Sequence, residues 1–439
     1  MAYRNIRLHP LLHLIYFLLR ILVWFGLHVF YRRRLVLGRE NLRFDGPAIV
    51  IANHPSTLMD PLNPALEIRQ EMFFLANYGL FRHPVSNWLL RRLYCIPVKR
   101  KEDVMAGELR DNLQAFEQSF EHMEKNGVLF IAVEGTSWMN RFVRPLKSGA
   151  ARIAFGAEAR NNWQLDVKII PVGLSYTAPH RFRSDVVVHV GKPVCPREWA
   201  ALWKENQPKA IDALTGHLEQ QLKTLSIHAR DEAGELLLTR LEEIWQNEQP
   251  LSQRAAFERS QYLAQTVLNK PGVVKRTPAY FAALQAEGLT DAAVAWSWQP
   301  GLQQRLFWNG LGLLLGFPLF AIGYLFWFLP CFIPAWLNKK MNIYIGYSAT
   351  VKMLTGLFTF PLALWGACRL ATGLGLGNMQ AALFLSVLIL LGYFAEQYQD
   401  IFRRFQTIRK ARYAARPNAM LDRLLMMRRA ILEDSAPAR

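Results

Sequence analysis

Cysteine is scarce, and none of it is spaced to pair. The four cysteines of this 439-residue chain (Cys95, Cys195, Cys331, Cys368) lie far apart with no C-x-x-C. That excludes a cysteine zinc site and a disulfide framework, and it fits a reducing compartment. Internal repeats and low-complexity tracts are absent, which excludes a repeat architecture. The opening stretch, "MAYRNIRLHPLLHLIYFLLRILVWFGLHVFYRRR", is basic and then apolar but lacks a small-residue cleavage site. It reads as a retained anchor rather than a signal peptide. Acid is in short supply: 34 Asp and Glu against 52 Lys and Arg leave a net charge of +18. Such an excess calls for an anionic partner, whether nucleic acid, a phosphorylated substrate or an anionic membrane surface. With 51% hydrophobic residues the balance favours a membrane over a nucleic acid.

Apolar length is what the chain has in quantity. Residues 8–31 form an apolar helix interrupted by His13 and Arg20. Arginine near mid-span costs about 2.5–3.5 kcal/mol on insertion scales. A helix lying in the interface, or packing Arg20 against protein, therefore competes with a span. Arg32, Arg33 and Arg34 follow and mark a cytoplasmic edge facing anionic lipid. Leu306 to Asn338 is uncharged, contains Pro318, Pro330 and Pro334, and exceeds the roughly 20 residues of a simple span. A second apolar zone, 353–395, is broken by Arg369 and "TGLGLGN". Lys339–Lys340 and "RRFQTIRKARYAAR" flank these zones and belong on the cytoplasmic side by the positive-inside rule. The expectation is a kinked hairpin at 306–337, with a re-entrant segment or a single tilted span as the alternatives, and another hairpin at 353–395.

Between about 45 and 195 short unbroken apolar runs alternate with longer amphipathic stretches. The runs are "PAIVIAN", "EMFFLAN", "YCIPV", "GVLFIAVEG", "KIIPVGLSY" and "DVVVHVG". Apolar strands without polar alternation suit a sheet covered on both faces, and the alternation with helices predicts an α/β fold with a mainly parallel sheet. "EDVMAGELRDNLQAFEQSFEHMEKNG" reads as a helix ending at Gly127, and "KSGAARIAFGAEARN" as another. The resulting division is a membrane-anchoring helix at 1–34, a catalytic α/β domain at 35–195, a helical linker at 196–305, membrane hairpins at 306–400 and a basic cytoplasmic tail at 401–439.

Candidate chemistry lies at strand ends. "AIVIANHPSTLMDP" places His54 and Asp60 just beyond an apolar run. A neutral imidazole there can take a proton from an alcohol, and a carboxylate can hold its tautomer and stabilise the imidazolium. A satisfied loop histidine is the bland alternative, and no third ligand is spaced for a metal. Lys99 and Arg100 follow one short strand. Glu134-Gly135-Thr136-Ser137 end another. Lys147 and Gly149 open a helix, where free backbone N–H groups favour an anion. In a parallel sheet ligands collect at the carboxyl ends of the strands. A base, a cationic clamp and an acid would then share one crevice.

"NHPSTLMD", "IPVKR", "EGTS" and "IIPVGLSY" come in the order and spacing of the four blocks of the glycerolipid acyltransferase superfamily, which residues 30–195 resemble. The first block is H-x5-D rather than the commoner H-x4-D. It is similar to a branch that includes fungal glycerol-3-phosphate acyltransferases, as are "RPLKSGAARIA" and the apolar region that follows. The resemblance implies His54 as base, Asp60 as its partner, and Arg100, Glu134 and Gly135 as the acceptor site, with Thr136 beside them. The common E-G-T-R is E-G-T-S-W here, so Arg141, Arg144 or Lys147 stand in for the missing arginine. The expected function is a membrane-bound acyltransferase. It moves a fatty acyl group from acyl-CoA or acyl-carrier protein to a hydroxyl of glycerol phosphate or a lysophospholipid, without metal or cofactor. The expected location is the cytoplasmic face of a membrane, the inner one in a bacterium, against anionic lipids and with no nucleic acid. A lipidated amino acid as acceptor, a transporter, or a silent membrane scaffold are the rival readings.

Overall fold

A computed structural model describes residues 10–92, 94–99, 112–414 and 419–437. Among them the chain forms two compact units. One runs up to His228 and includes Tyr344–Thr350; the other holds Ala229–Ile343 and the residues from Val351 on.

The first unit is built on a seven-stranded sheet: β1 (Arg33–Leu37), β2 (Ala48–Ala52), β3 (Met72–Asn77), β4 (Cys95–Val98), β5 (Val128–Ala132), β6 (Lys168–Tyr176) and β7 (Asp185–Val190). The spatial order is β1-β7-β6-β2-β5-β3-β4. Every pairing is parallel except β6 with β7. The six apolar runs are β2 to β7. Central β2 has all five residues fully buried, as an apolar run without alternation must be when both faces are covered. β1 carries no such run and was not foreseen. It forms because Arg33 and Arg34 find partners inside the unit. Arg33 pairs with Asp185 at 2.5 Å. Arg34 donates to Asn63 Oδ1, the Asn63 carbonyl and Glu67. The reading of Arg32–Arg34 as a lipid-facing edge is therefore corrected for Arg34, whose side chain is 7% exposed. A buried guanidinium with three hydrogen bonds is held by protein, not by headgroups.

The helices that cover this sheet are α1 (Pro10–Phe30), α2 (Met59–Ala65), α3 (Pro84–Arg92), α4 (Leu113–Met123), α5 (Gly149–Arg160), α6 (Ala200–Glu205) and α7 (Gln207–Leu225). On α7, Leu214, Leu218 and Leu222 recur every fourth residue and are buried. At about 1.5–3 kcal/mol each they contribute roughly 5–9 kcal/mol before conformational entropy is subtracted. Gly173 on β6 lets the end of α7 approach, since a Cβ there would stand 2.5 Å from the Leu225 backbone. The stretch from 196 to 228 is thus part of the α/β unit, not linker. On α1, Arg20 donates to the Leu66 carbonyl at 2.7 Å, and the Leu12 carbonyl accepts from Tyr94. The opposite face exposes Phe17, Leu18, Ile21, Trp24 and Phe25. Arg20 is satisfied by protein, so the apolar face of α1 is free of charge.

The second unit is helical: α8 (Glu232–Glu248), α9 (Gln253–Tyr262), α10 (Pro271–Ala286), α11 (Asp291–Ser297), α12 (Leu302–Met341), α13 (Ser348–Gly373, whose first turn lies in the first unit), α14 (Asn378–Ala414) and α15 (Ala419–Ser435). Arg428 on α15 is buried and donates to Asp291, Glu248 and the Ile244 carbonyl. α1, α12, α14 and the stretch Ile345–Gly373 are long and apolar enough to cross a membrane. The hairpin expected at 306–337 is a single continuous helix instead. Its three prolines fall inside an apolar segment with no polar turn to reverse the chain, a setting in which proline bends a helix without ending it. α14 runs antiparallel to α12: Gly310 faces Phe405, and Gly323 faces Leu391. Tyr398 also donates to the Leu313 carbonyl. Arg305 and Arg403 consequently share one end of this pair.

Candidate active site

Parallel register brings the two key loops together. Ala52 of β2 pairs with Ala132 of β5. His54 and Glu134, each two residues further on, therefore emerge side by side. Glu134 Oε2 accepts the His54 backbone N–H at 2.8 Å, and the His54 carbonyl accepts the Trp138 N–H at 3.0 Å. Glu134 Oε1 accepts the Arg144 N–H at 2.9 Å. One buried carboxylate thus ties both loops. Burial pushes its carboxyl above the usual carboxylate range, and the two backbone N–H donors oppose that shift. From the other side Asn53 grips β6 through its amide, giving to and taking from the Leu174 backbone at 2.9 and 2.7 Å.

Within this frame His54 Nδ1 stands 2.9 Å from Asp60 Oδ2. The contact is of ion-pair type and is not made as a hydrogen bond. Asp60 opens α2 and is fully buried. Its Oδ2 also accepts the Ser56 N–H at 2.7 Å, and its Oδ1 accepts the Tyr176 hydroxyl at 2.7 Å. Burial and the neighbouring Asp60 hold the Tyr176 phenol well above its ordinary range, so it remains a donor. The His54 ring is 13% exposed, and its Nε2 makes no hydrogen bond among the described residues. That geometry leaves one imidazole nitrogen turned to a buried carboxylate and the other available to a substrate proton.

The loop after β5 carries the cationic groups. Gly135 has φ +78°, a left-handed conformation that favours glycine, and the Lys147 stem lies across it. Thr136 follows, half-buried. Ser137 is buried, and its hydroxyl has no partner among the described residues. The Arg144 guanidinium carbon sits 3.9 Å from the Trp138 ring centroid and 4.8 Å from that of Phe142. Its Nε is buried without a hydrogen bond. Aromatic faces favour a guanidinium electrostatically and hold its fork in one plane. Lys147 precedes α5, with its N–H on the Val133 carbonyl. A shallow groove lined by Asn53, Pro55, Asn140, Arg141, Ser175 and Tyr176 runs alongside.

His54, Asp60, Glu134, Gly135, Thr136, Arg144 and Lys147 are thus gathered by the loops after β2 and β5. Arg100 lies outside the described residues. Asn53, Trp138 and Tyr176 were not singled out from the sequence. The available signals were the asparagine beside the histidine, the tryptophan where an arginine is common, and the tyrosine that closes "IIPVGLSY".

Residues 33–175 match the family model described as Acyltransferase. This α/β segment is an acyltransferase domain of the glycerolipid acyltransferase superfamily. It is 32% identical over 124 residues to glycerol-3-phosphate O-acyltransferase 1 of Saccharomyces cerevisiae, covering 28% of this chain and 16% of that protein. The chain is 26% identical over 203 residues to the chloroplastic 1-acyl-sn-glycerol-3-phosphate acyltransferase BAT2 of Brassica napus, covering 45% of this chain and 56% of that one. The chain therefore spans a small part of the yeast relative and about half of the plant one. Among solved structures it is similar to the 1-acyl-sn-glycerophosphate acyltransferase PlsC of Thermotoga maritima, at 23% identity and a TM-score of 0.33, covering 47% of this chain and 79% of that one.

Proposed function

We propose that this chain is a membrane-bound O-acyltransferase that moves a fatty acyl group from an acyl thioester to a hydroxyl of a glycerol-phosphate acceptor. The observation that carries this reading is the contact of His54 Nδ1 with fully buried Asp60, on a loop whose backbone Glu134 clamps. His54 Nε2 takes the acceptor's hydroxyl proton as its oxygen attacks the thioester carbonyl. The C–O bond forms, the C–S bond breaks, and the proton passes from His54 to the leaving thiolate. Asp60 stabilises the imidazolium between these steps. The reaction so written uses no metal and no cofactor beyond the thioester, supplied as acyl-CoA or acyl-carrier protein. The fungal and plant relatives are named for glycerol 3-phosphate and its 1-acyl derivative, and both acceptors carry a phosphate monoester.

The direct test is purified protein with labelled acyl-CoA and a panel of acceptors: glycerol 3-phosphate, lysophosphatidate, another lysophospholipid and a lipidated amino acid. Ester formation on one of the first two is expected. No ester on any acceptor sinks the reading, and ester on the amino acid alone moves it to a different acceptor class.

Arg144 is the phosphate ligand in this scheme, in place of the arginine common after E-G-T. Lysine cannot reproduce a planar, stacked, two-pronged contact. Arg144→Lys is expected to raise the acceptor KM about tenfold or more, in line with the ~1.5–3 kcal/mol of a hydrogen bond to a charged group. The acyl-donor KM should change little. A rise confined to the donor KM would assign Arg144 to the thioester side.

The active site belongs on the cytoplasmic face of the membrane. No described stretch from 31 to 301 is a candidate span, and the positive-inside rule puts Arg305, Lys339–Lys340 and Arg403–Arg404 all on that side. A cysteine introduced at 406 is expected to react with an impermeant thiol reagent only after the cytoplasmic side is opened. Reaction in intact cells would refute this orientation.

A further inference from the structure

Thr57 lies midway between His54 and Asp60, and its backbone is left-handed, with φ +45°. Such a conformation is unfavourable for a β-branched residue and persists only where its surroundings impose it. Nothing within the matched segment 33–175 holds the Thr57 side chain among the described residues. Its hydroxyl reaches a segment nearly three hundred positions away. Thr57 Oγ1 donates to the Gly346 carbonyl at 3.3 Å and lies 2.9 Å from Thr350 Oγ1. With Thr57 donating to Gly346, Thr350 donates to Thr57, and both hydroxyls are satisfied. Thr57 is 6% exposed, Ser348 4% and Ala349 fully buried, so these bonds are shielded from water. The same segment also abuts the second loop: a Cβ on Gly346 would stand 3.3 Å from Ser137 Oγ. Tyr344–Thr350 belongs to the α/β unit although the chain on either side of it is apolar helix.

We propose that Tyr344–Thr350 is a positioning strap for the catalytic turn. Gly346 and Thr350 hold Thr57 in its left-handed conformation. The Thr57 turn in turn carries Ser56, whose N–H fixes Asp60 Oδ2, the oxygen that faces His54. Thr350 is a positioning residue: it acts on the base through Thr57 and touches no reacting atom. The acyltransferase domain therefore depends for its catalytic geometry on residues far outside its own sequence boundaries. Only the kinetic readout of this proposal rests on the function proposed above.

The test uses the full-length protein and three variants: Thr350→Val, Thr57→Gly and the double substitution. Valine keeps the shape of threonine and removes the hydroxyl. Glycine adopts positive φ without help. Thr350→Val is expected to lower kcat about 5- to 30-fold, the size of a coupling between residues in one hydrogen-bond network, with both KM values within about twofold. Amide exchange in the peptide covering 53–60 should quicken, and the melting temperature should stay within a few degrees. In the Thr57→Gly background the same substitution should change kcat and exchange by no more than about twofold. Equal losses in both backgrounds would overturn the strap, as would a Thr350→Val protein with wild-type kcat and exchange. The exchange readout needs no substrate. A wild-type protein inactive on every acceptor would end the functional reading, and the exchange data would still decide the strap.

Discussion

Replacing His54 by alanine is expected to lower turnover by about 10²–10⁴-fold, the usual contribution of a positioned general base, and to leave the fold intact. The reason lies in how the loop is held. Asn53 grips β6, Glu134 takes the His54 N–H, and Trp138 gives its N–H to the His54 carbonyl. All three contacts involve backbone at position 54 or the side chain of its neighbour, so deleting the ring leaves them in place. The residual rate is what positioning and anion binding supply without a base. Initial rates at saturating donor and acceptor, with a thermal melt on the same preparation, decide the matter. A folded His54→Ala protein working within a few-fold of wild type would remove His54 from the chemistry.

Asp60→Asn is expected to cost about 10³–10⁴-fold in turnover, comparable to loss of the orienting acid in other His–Asp pairs, and to lower stability as well. Asp60 serves three partners from within the core: the His54 ring, the Ser56 N–H and the Tyr176 hydroxyl. An amide has one oxygen for these three. If that oxygen faces Ser56 and His54, the NH2 confronts the Tyr176 O–H, and the imidazolium loses its negative neighbour. If the amide turns over, its NH2 confronts the Ser56 N–H and forces Nδ1 to accept. The proton then sits on Nε2, and the base is blocked. Either arrangement leaves a buried donor unmatched, at about 1–3 kcal/mol. The two substitutions are therefore distinguishable: His54→Ala loses rate with little change in melting temperature, and Asp60→Asn loses both. An Asp60→Asn enzyme keeping more than about a tenth of wild-type turnover would contradict the assigned role.

Much of this was legible in the residues alone. β2 to β7 were visible because a strand covered on both faces has no polar alternation, a property of the residues themselves. His54, Asp60 and Glu134 stood out because they follow such runs directly, and strand ends in a parallel sheet point the same way. Other parts were hidden for a common reason. β1 is a basic pentapeptide, "RRLVL", whose place in the sheet depends on Asp185, Asn63 and Glu67 from distant parts of the chain. Asn53, Tyr176 and Trp138 look like ordinary turn, strand and surface residues until their partners are brought near. The continuous course of α12 could not be told from a hairpin, since prolines in an uncharged run are compatible with both.

The sequence by itself determined the class of this protein: α/β by alternation, membrane-associated by uncharged apolar length, and an acyltransferase domain by four blocks in order. It did so because periodicity, burial preference and local motif spacing are written within short windows of chain. Tertiary structure alone decided the working geometry. The parallel register of β2 with β5 sets Glu134 against His54, β6 delivers Tyr176 to Asp60, and the Arg144 guanidinium lies over the Trp138 ring. Residues 344–350 close on Thr57 from outside the domain. Each is a contact between residues far apart in sequence. Which distant side chain meets a buried hydroxyl or carboxylate is settled by packing the whole sheet and its helices at once, and no local stretch contains that information.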